Sequence, residues 1–212
     1  AMLALLREAI HPNLVQSVEG VPTLVHGGPF ANIAHGCNSL LATRMARHCS
    51  DWAITEAGFG FDLGAEKFFD IKCRIGNLDP QAVVLVTTTR ALKLHGGSRR
   101  ENGDLSALRK GLANLDKHIE NVRKFNKQPV VALNRFVGDN PAELSLIEAR
   151  CQELETSFAL CDHHARGGEG AIELARQVIQ TAHRSEPYRP LYSLELPVEE
   201  KVRIICREMY GA

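Results

Sequence analysis

The sequence predicts an α/β fold, a mostly parallel sheet flanked by helices. Short β-branched runs alternate with longer helical patterns, and three of the five runs are nearly continuous apolar stretches, as strands covered on both faces are. Polar or charged residues, mostly with glycine clusters, follow each run. That is the composition expected at the carboxyl edge of an open parallel sheet, where ligands bind.

In order, "AMLALLREAI" predicts a helix over 2–10; Arg7 and Glu8 interrupt its apolar start too early for a signal peptide. "PTLVH" (22–26) is the first expected strand, and "HGGPFANIAHG" leads from it into a helix over 30–48, with Pro29 suited to a first helical turn. "DWAITEA" (51–57) is the second expected strand, and "EAGFGFDLG" leads into a helix over 63–75 with Asp62 as its N-cap. "AVVLVTTT" (82–89), "PVVALN" (129–134) and "TSFALCD" (156–162) complete the strands. Helices are expected over 104–126, 140–154, 169–184 and 197–209. "HGGSRRENGD" (95–104) reads as a loop, and "SEPYRPLYSLELP" (185–197), with three prolines, as an extended connection. The domain organisation that follows is an α/β domain over 1–185, then an extended connection and C-terminal helix over 186–212.

Composition narrows the partners. Lys+Arg and Asp+Glu are 25 each in 212 residues, so no whole-molecule field gathers nucleic acid or an acidic membrane. Aromatic residues are 6% and do not interleave with basic ones, which argues against stacking on single strands. No apolar run has the length of a membrane span. Small-molecule substrates are expected, with no nucleic acid and no membrane. The six cysteines form no C-x-x-C pair and lack the spacing of a disulfide scaffold, so free thiols and a cytoplasmic location are expected.

Several stretches carry candidate chemistry. In "HGGPFANIAHG", His26 and His35 have no carboxylate or cysteine at a matching helical spacing; hydrogen bonding is expected of them, and no metal ligand is assigned. In "EAGFGFDLGAEKFFDIKCR", Gly58 and Gly60 allow close backbone approach, and the start of the following helix suits an anion. The alternative there is a capped turn, with Lys67 and Arg74 on a solvated basic face. "TRALKLHGG" places Arg90, Lys93 and His95 after a strand, suiting either a phosphate or carboxylate site or a salt-bridged loop. "CDHHARGGEGAIELA" sets Arg166 and the pair Gly167–Gly168 between strand and helix, loosely like a phosphate loop. Neither G-x-x-x-x-G-K-[ST] nor G-x-S-x-G occurs in the chain.

Together, "PFANIAHGCNS", "TEAGFGFDLGAEKFFDIKCR", "VTTTRALKLHGG", "KGLANLDKHIENVRKF" and "PVEEKVRIICREMYGA" resemble the formate–tetrahydrofolate ligase family, in that family's order and over essentially the whole chain. The resemblance implies a parallel-sheet relative of the P-loop nucleotide hydrolases. It implies ATP-dependent joining of formate to N10 of tetrahydrofolate through formyl phosphate, with tetrahydrofolate, ATP and Mg as the small-molecule requirements. An oligomer, or association with a missing portion, is implied too. By position, Phe136 matches an aromatic that stacks on the pteridine, with Asn134 beside it. Glu56, Phe59, Gly60 and Arg90 become the candidate catalytic positions, and Asn134, Phe136, His164, Gly167 and Gly168 the candidate folate-binding ones.

Departures from the family pattern accompany the match. His164 stands where the family usually has tryptophan, the second aromatic of a folate clamp. Phe61 replaces a usual alanine, and Thr87 and Thr89 replace smaller or apolar residues. Family members are much longer, and the phosphate-cradling lysine and hydroxyl have no counterpart here. The expectation is therefore a fragment without the P-loop or C-terminal portions, inactive alone, in which ATP binding is doubtful. A non-catalytic folate-binding or protein-interaction module derived from the ligase is the alternative.

Overall fold

The chain divides into two units, Ala1–Leu78 and Asp79–Ala212. The computed structural model describes residues 1–27, 35–98 and 103–212. Residues 28–34 of the first glycine-rich stretch, with Pro29 and the start of the helix expected over 30–48, lie outside the described residues, as do residues 99–102 of the expected 95–104 loop.

In the first unit, helix α1 is a single turn, Met2–Leu5, rather than the helix expected over 2–10. Its Met2, Leu3 and Leu5 all stay exposed, so no buried apolar face sustains further turns. Strand β1 (Asn13–Gln16) pairs antiparallel with β2 (Pro22–Val25), Asn13 opposite Val25. The expected strand at 22–26 thus forms, but in a hairpin and not in the parallel sheet. Helix α2 (Leu40–Cys49) starts at Ser39, whose Oγ accepts from the Ala42 N–H at 3.0 Å. No strand forms over 51–57, where residues 51–56 are exposed and Ala57 is half-buried. A β-branched run supplies only one side of a ladder, and the unit's two strands already pair with each other.

The helical stretch that follows departs from α geometry. It runs through π-helical turns Phe61–Ala65 and Phe68–Cys73 and closes with α3 (Arg74–Gly76). Its N-cap is Gly60, so Asp62 lies in the first turn and not at the cap. Wider π turns are tolerated where packing holds them. Here the stretch buries Phe61, Phe68, Phe69 and Cys73, and the Phe68 and Phe69 rings meet edge to face with centroids 5.7 Å apart.

The second unit contains the parallel sheet: β3 (Val83–Thr87), β4 (Pro129–Asn134) and β5 (Ser157–Cys161), ordered β3-β4-β5. Val83 pairs with Pro129 and Val130 with Ser157, which fixes the register. Crossovers run through α4 (Thr89–His95) and α5 (Leu105–Lys124), then through α6 (Pro141–Glu153). β5 leads to α7 (His163–Arg166), a 3₁₀ turn Gly167–Ala171 and α8 (Ile172–Ala182). Helix α4 was not expected from the sequence; Thr88 caps it, its hydroxyl accepting from the Ala91 N–H at 3.0 Å.

Central β4 is buried from Pro129 to Leu133, because both its faces are covered. Leu85, Val131, Leu133 and Phe158 meet Leu92, Leu108, Leu112, Leu115, Ile119 and Ile147 of the helices in one core. Helix α8 packs on β4 and β5. Contact between α4 and α5 depends on Gly111, where a Cβ would lie 1.8 Å from the Leu92 carbonyl oxygen. After α8 the chain is irregular over 185–197, then forms α9 (Val198–Ile205) and a π turn, Cys206–Tyr210. That segment is tied to α5. Asn121 donates to Met209 O at 3.0 Å, and Lys117 and Lys124 each donate to Glu208 O at 2.9 Å.

Candidate functional site

Because β3, β4 and β5 are parallel, their carboxyl ends lie along one edge of the sheet. After β3 comes the start of α4, with Arg90 exposed. β4 ends at half-buried Asn134, which pairs with Cys161 of β5, and Phe136 follows, a residue 56% exposed. After β5 come exposed His164 and Gly168 with half-buried Gly167. Gly167 has φ +57°, a backbone conformation unfavourable for other residues, which turns the chain from α7 into the next helix. Six of the expected site residues therefore share this edge: Arg90, Asn134, Phe136, His164, Gly167 and Gly168.

The turn after β4 is closed on itself. Asp139 Oδ2 accepts from the Phe136 N–H at 2.8 Å, and the Asp139 N–H donates to Phe136 O at 3.1 Å. Asp139 Oδ1 accepts from the buried Thr89 hydroxyl at 2.6 Å. One helical turn along, buried Lys93 meets buried Glu143 at 3.2 Å, and Glu143 also accepts from the Asp104 N–H at 2.9 Å. Lys93 is therefore committed to an internal ion pair, whereas Arg90 on the same helix faces outward. Sequence reading did not single out Asp139; its place three residues after Phe136, behind glycine, is a turn signal that could have.

Glu56, Phe59 and Gly60 belong to the first unit, in the exposed stretch before Phe61. Phe59 is left-handed at φ +51° and is 73% exposed. The backbone of Ala57 and Gly58 lies directly on Gly64, where a Cβ would fall 1.6 Å from Gly58 O, so only glycine fits beneath this loop. Within the helical stretch, buried Asp70 holds Arg74 at 2.6 Å, so Arg74 is not part of a solvated basic face. Burial, then the charge and hydrogen bonding of Asp70, push the Glu66 carboxyl up to about 7. His26 has both ring nitrogens engaged, Nδ1 with Ser39 Oγ at 2.7 Å and Nε2 with Ala9 O at 2.9 Å. His35 Nδ1 accepts from the Cys37 N–H at 3.1 Å.

A sequence model of the family described as formate–tetrahydrofolate ligase matches residues 1–212. The chain belongs to the formate–tetrahydrofolate ligase family. Among its relatives in that family is the formate–tetrahydrofolate ligase of Paracoccus denitrificans (strain Pd 1222), 53% identical over 215 aligned residues. The enzyme of the same description from Staphylococcus aureus (strain COL) is 50% identical over 214. Each alignment takes in 100% of this chain and 39% of the relative, so the chain spans about two fifths of these ligases' length. The motifs that resembled the family in sequence fall in both units: "EAGFGFDLG" in the first, and "TRALKLHGG", "NRF" and "DHHARGG" at the sheet edge of the second.

Proposed function

We propose that this chain is the folate-side portion of an ATP-dependent formate–tetrahydrofolate ligase, the strand-end edge of its second unit receiving the pteridine. The observation that carries the reading is the exposed Phe136 ring at the end of the central strand, between the Arg90 and His164 segments. An aromatic face held by a rigid sheet suits a flat heterocycle. Asn134 offers an amide beside that ring, and the Gly167–Gly168 turn lets a ligand approach the backbone. Arg90 offers a cation for a carboxylate or phosphate. Glu56, Phe59 and Gly60, in the first unit, are assigned as catalytic positions of the ligase. Holding the folate amine and the activated formyl carbon in line is the main task of such residues. The protein is cytoplasmic on this reading and works as an oligomer or beside further ligase segments.

The sequence contains no G-x-x-x-x-G-K-[ST] to cradle the phosphates of ATP. No step through the nucleotide is assigned to the residues present.

Titration of the chain with folic acid tests the pteridine site. Binding that weakens in Phe136→Ala, with an unchanged melting temperature, supports the reading; equal affinity in both proteins overturns it. A coupled assay with ATP, formate and tetrahydrofolate should show no turnover by the chain alone. Rates on the order of 1–10³ s⁻¹ would show that the phosphoryl-transfer groups are present after all.

A further inference from the structure

The Asp139 carboxylate joins two segments that differ in exposure. On one side is the Thr89 hydroxyl, in a residue 1% exposed at the first turn of α4. On the other is the backbone of Phe136, a residue 56% exposed, beside fully exposed Val137. Among the described residues, reciprocal Phe136–Asp139 bonds close the turn 136–139, and the Thr89 bond ties it by a side chain to a helix. Arg90 follows Thr89 in sequence, so the same link sets the start of the Arg90 helix against the Phe136 turn.

We infer that Asp139 is a positioning residue for the folate-facing turn, fixing Phe136 relative to the Arg90 end of α4 through the Thr89 hydroxyl. The inference rests on the pteridine reading above and deepens it. A flexible turn would place the ring over a range of positions, and a bound pteridine would then have to order it. A turn already held loses less freedom on binding.

Four variants of the 212-residue chain test this, read by folic acid titration beside thermal melts. Asp139→Ala removes both bonds and should raise Kd about tenfold, the scale of one charge-assisted hydrogen bond. Asp139→Asn should remain within about twofold of wild type, since its amide oxygen accepts from Phe136 while its NH₂ donates to the Thr89 oxygen. Thr89→Val keeps the side-chain shape, removes the anchor and should weaken binding in the same direction. It carries the test if Asp139→Ala does not fold. Phe136→Ala separates the two levels of the argument. If it weakens binding while Asp139→Ala and Thr89→Val change only the melting temperature, positioning is overturned and the pteridine reading stands. If folic acid binds wild type and Phe136→Ala equally, or binds neither, the pteridine reading fails and the positioning role falls with it.

Discussion

Lys93 Nζ lies 3.2 Å from Glu143 Oε2, with side chains only 2% and 1% exposed, and this pair fastens α4 to α6 behind the candidate edge. Removing one partner leaves the other charge buried, a cost of about 3–5 kcal/mol. Lys93→Ala and Glu143→Ala should each lower unfolding free energy by that order in urea titrations. Lys93→Met with Glu143→Leu should recover most of the loss, because two apolar residues of similar volume leave no buried charge. A double variant as unstable as the worse single one would contradict this account.

Glu66 makes stability depend on pH. Its carboxyl titrates near 7 in the folded chain against an ordinary value of 4.5, raised by burial and then by Asp70, and opposed by Lys67 and Arg74. Between those values the folded state holds more protons than the unfolded one, so stability falls as pH rises. The contribution is fully present below about 4.5 and is lost as pH passes through about 7. At roughly 1.4 kcal/mol per unit the window is worth on the order of 3 kcal/mol. Glu66→Gln, an uncharged isostere, should melt higher than wild type at pH 8 and flatten the slope from pH 5 to 8.

All six cysteines are free thiols; Cys49 and Cys206 are exposed, while Cys37, Cys73, Cys151 and Cys161 are buried. Burial pushes the Cys151 thiol up to about 12 and raises those of Cys37 and Cys161. A thiol reagent at pH 8 should therefore label two positions quickly in the folded chain and all six after denaturation. Non-reducing intact mass should show no loss of two mass units per bridge. Rapid native labelling of Cys151 would show that α6 opens.

His164 is exposed at the start of the turn after β5. On the pteridine reading, indole there should improve stacking by roughly 0.5–1.5 kcal/mol. His164→Trp should tighten folic acid binding by several-fold and leave the melting temperature unchanged. Unchanged affinity would assign His164 to the surface of the turn and leave Phe136 as the sole aromatic face proposed there.

The sequence by itself determined the α/β class, the bounds of β4 and the existence of the helix expected over 104–126, which forms over Leu105–Lys124, because continuous apolar runs and long amphipathic periods are local signals. Together with the family motifs it also marked Arg90, Phe136 and the Gly167–Gly168 turn as candidates. Tertiary structure decided which strand-like runs became strands. "PTLVH" found an antiparallel partner in Asn13–Gln16, and "DWAITEA" joined no ladder, since strand formation requires a second chain segment that propensity does not name. It also decided the fate of charge. Arg90 and Lys93 look alike in "TRALKLHGG", yet Arg90 is exposed while Lys93 is buried against Glu143, 50 positions away. Asp139 and Thr89 show the same limit: their bond spans 50 positions and depends on the placement of α4 against the turn after β4, which no local pattern specifies.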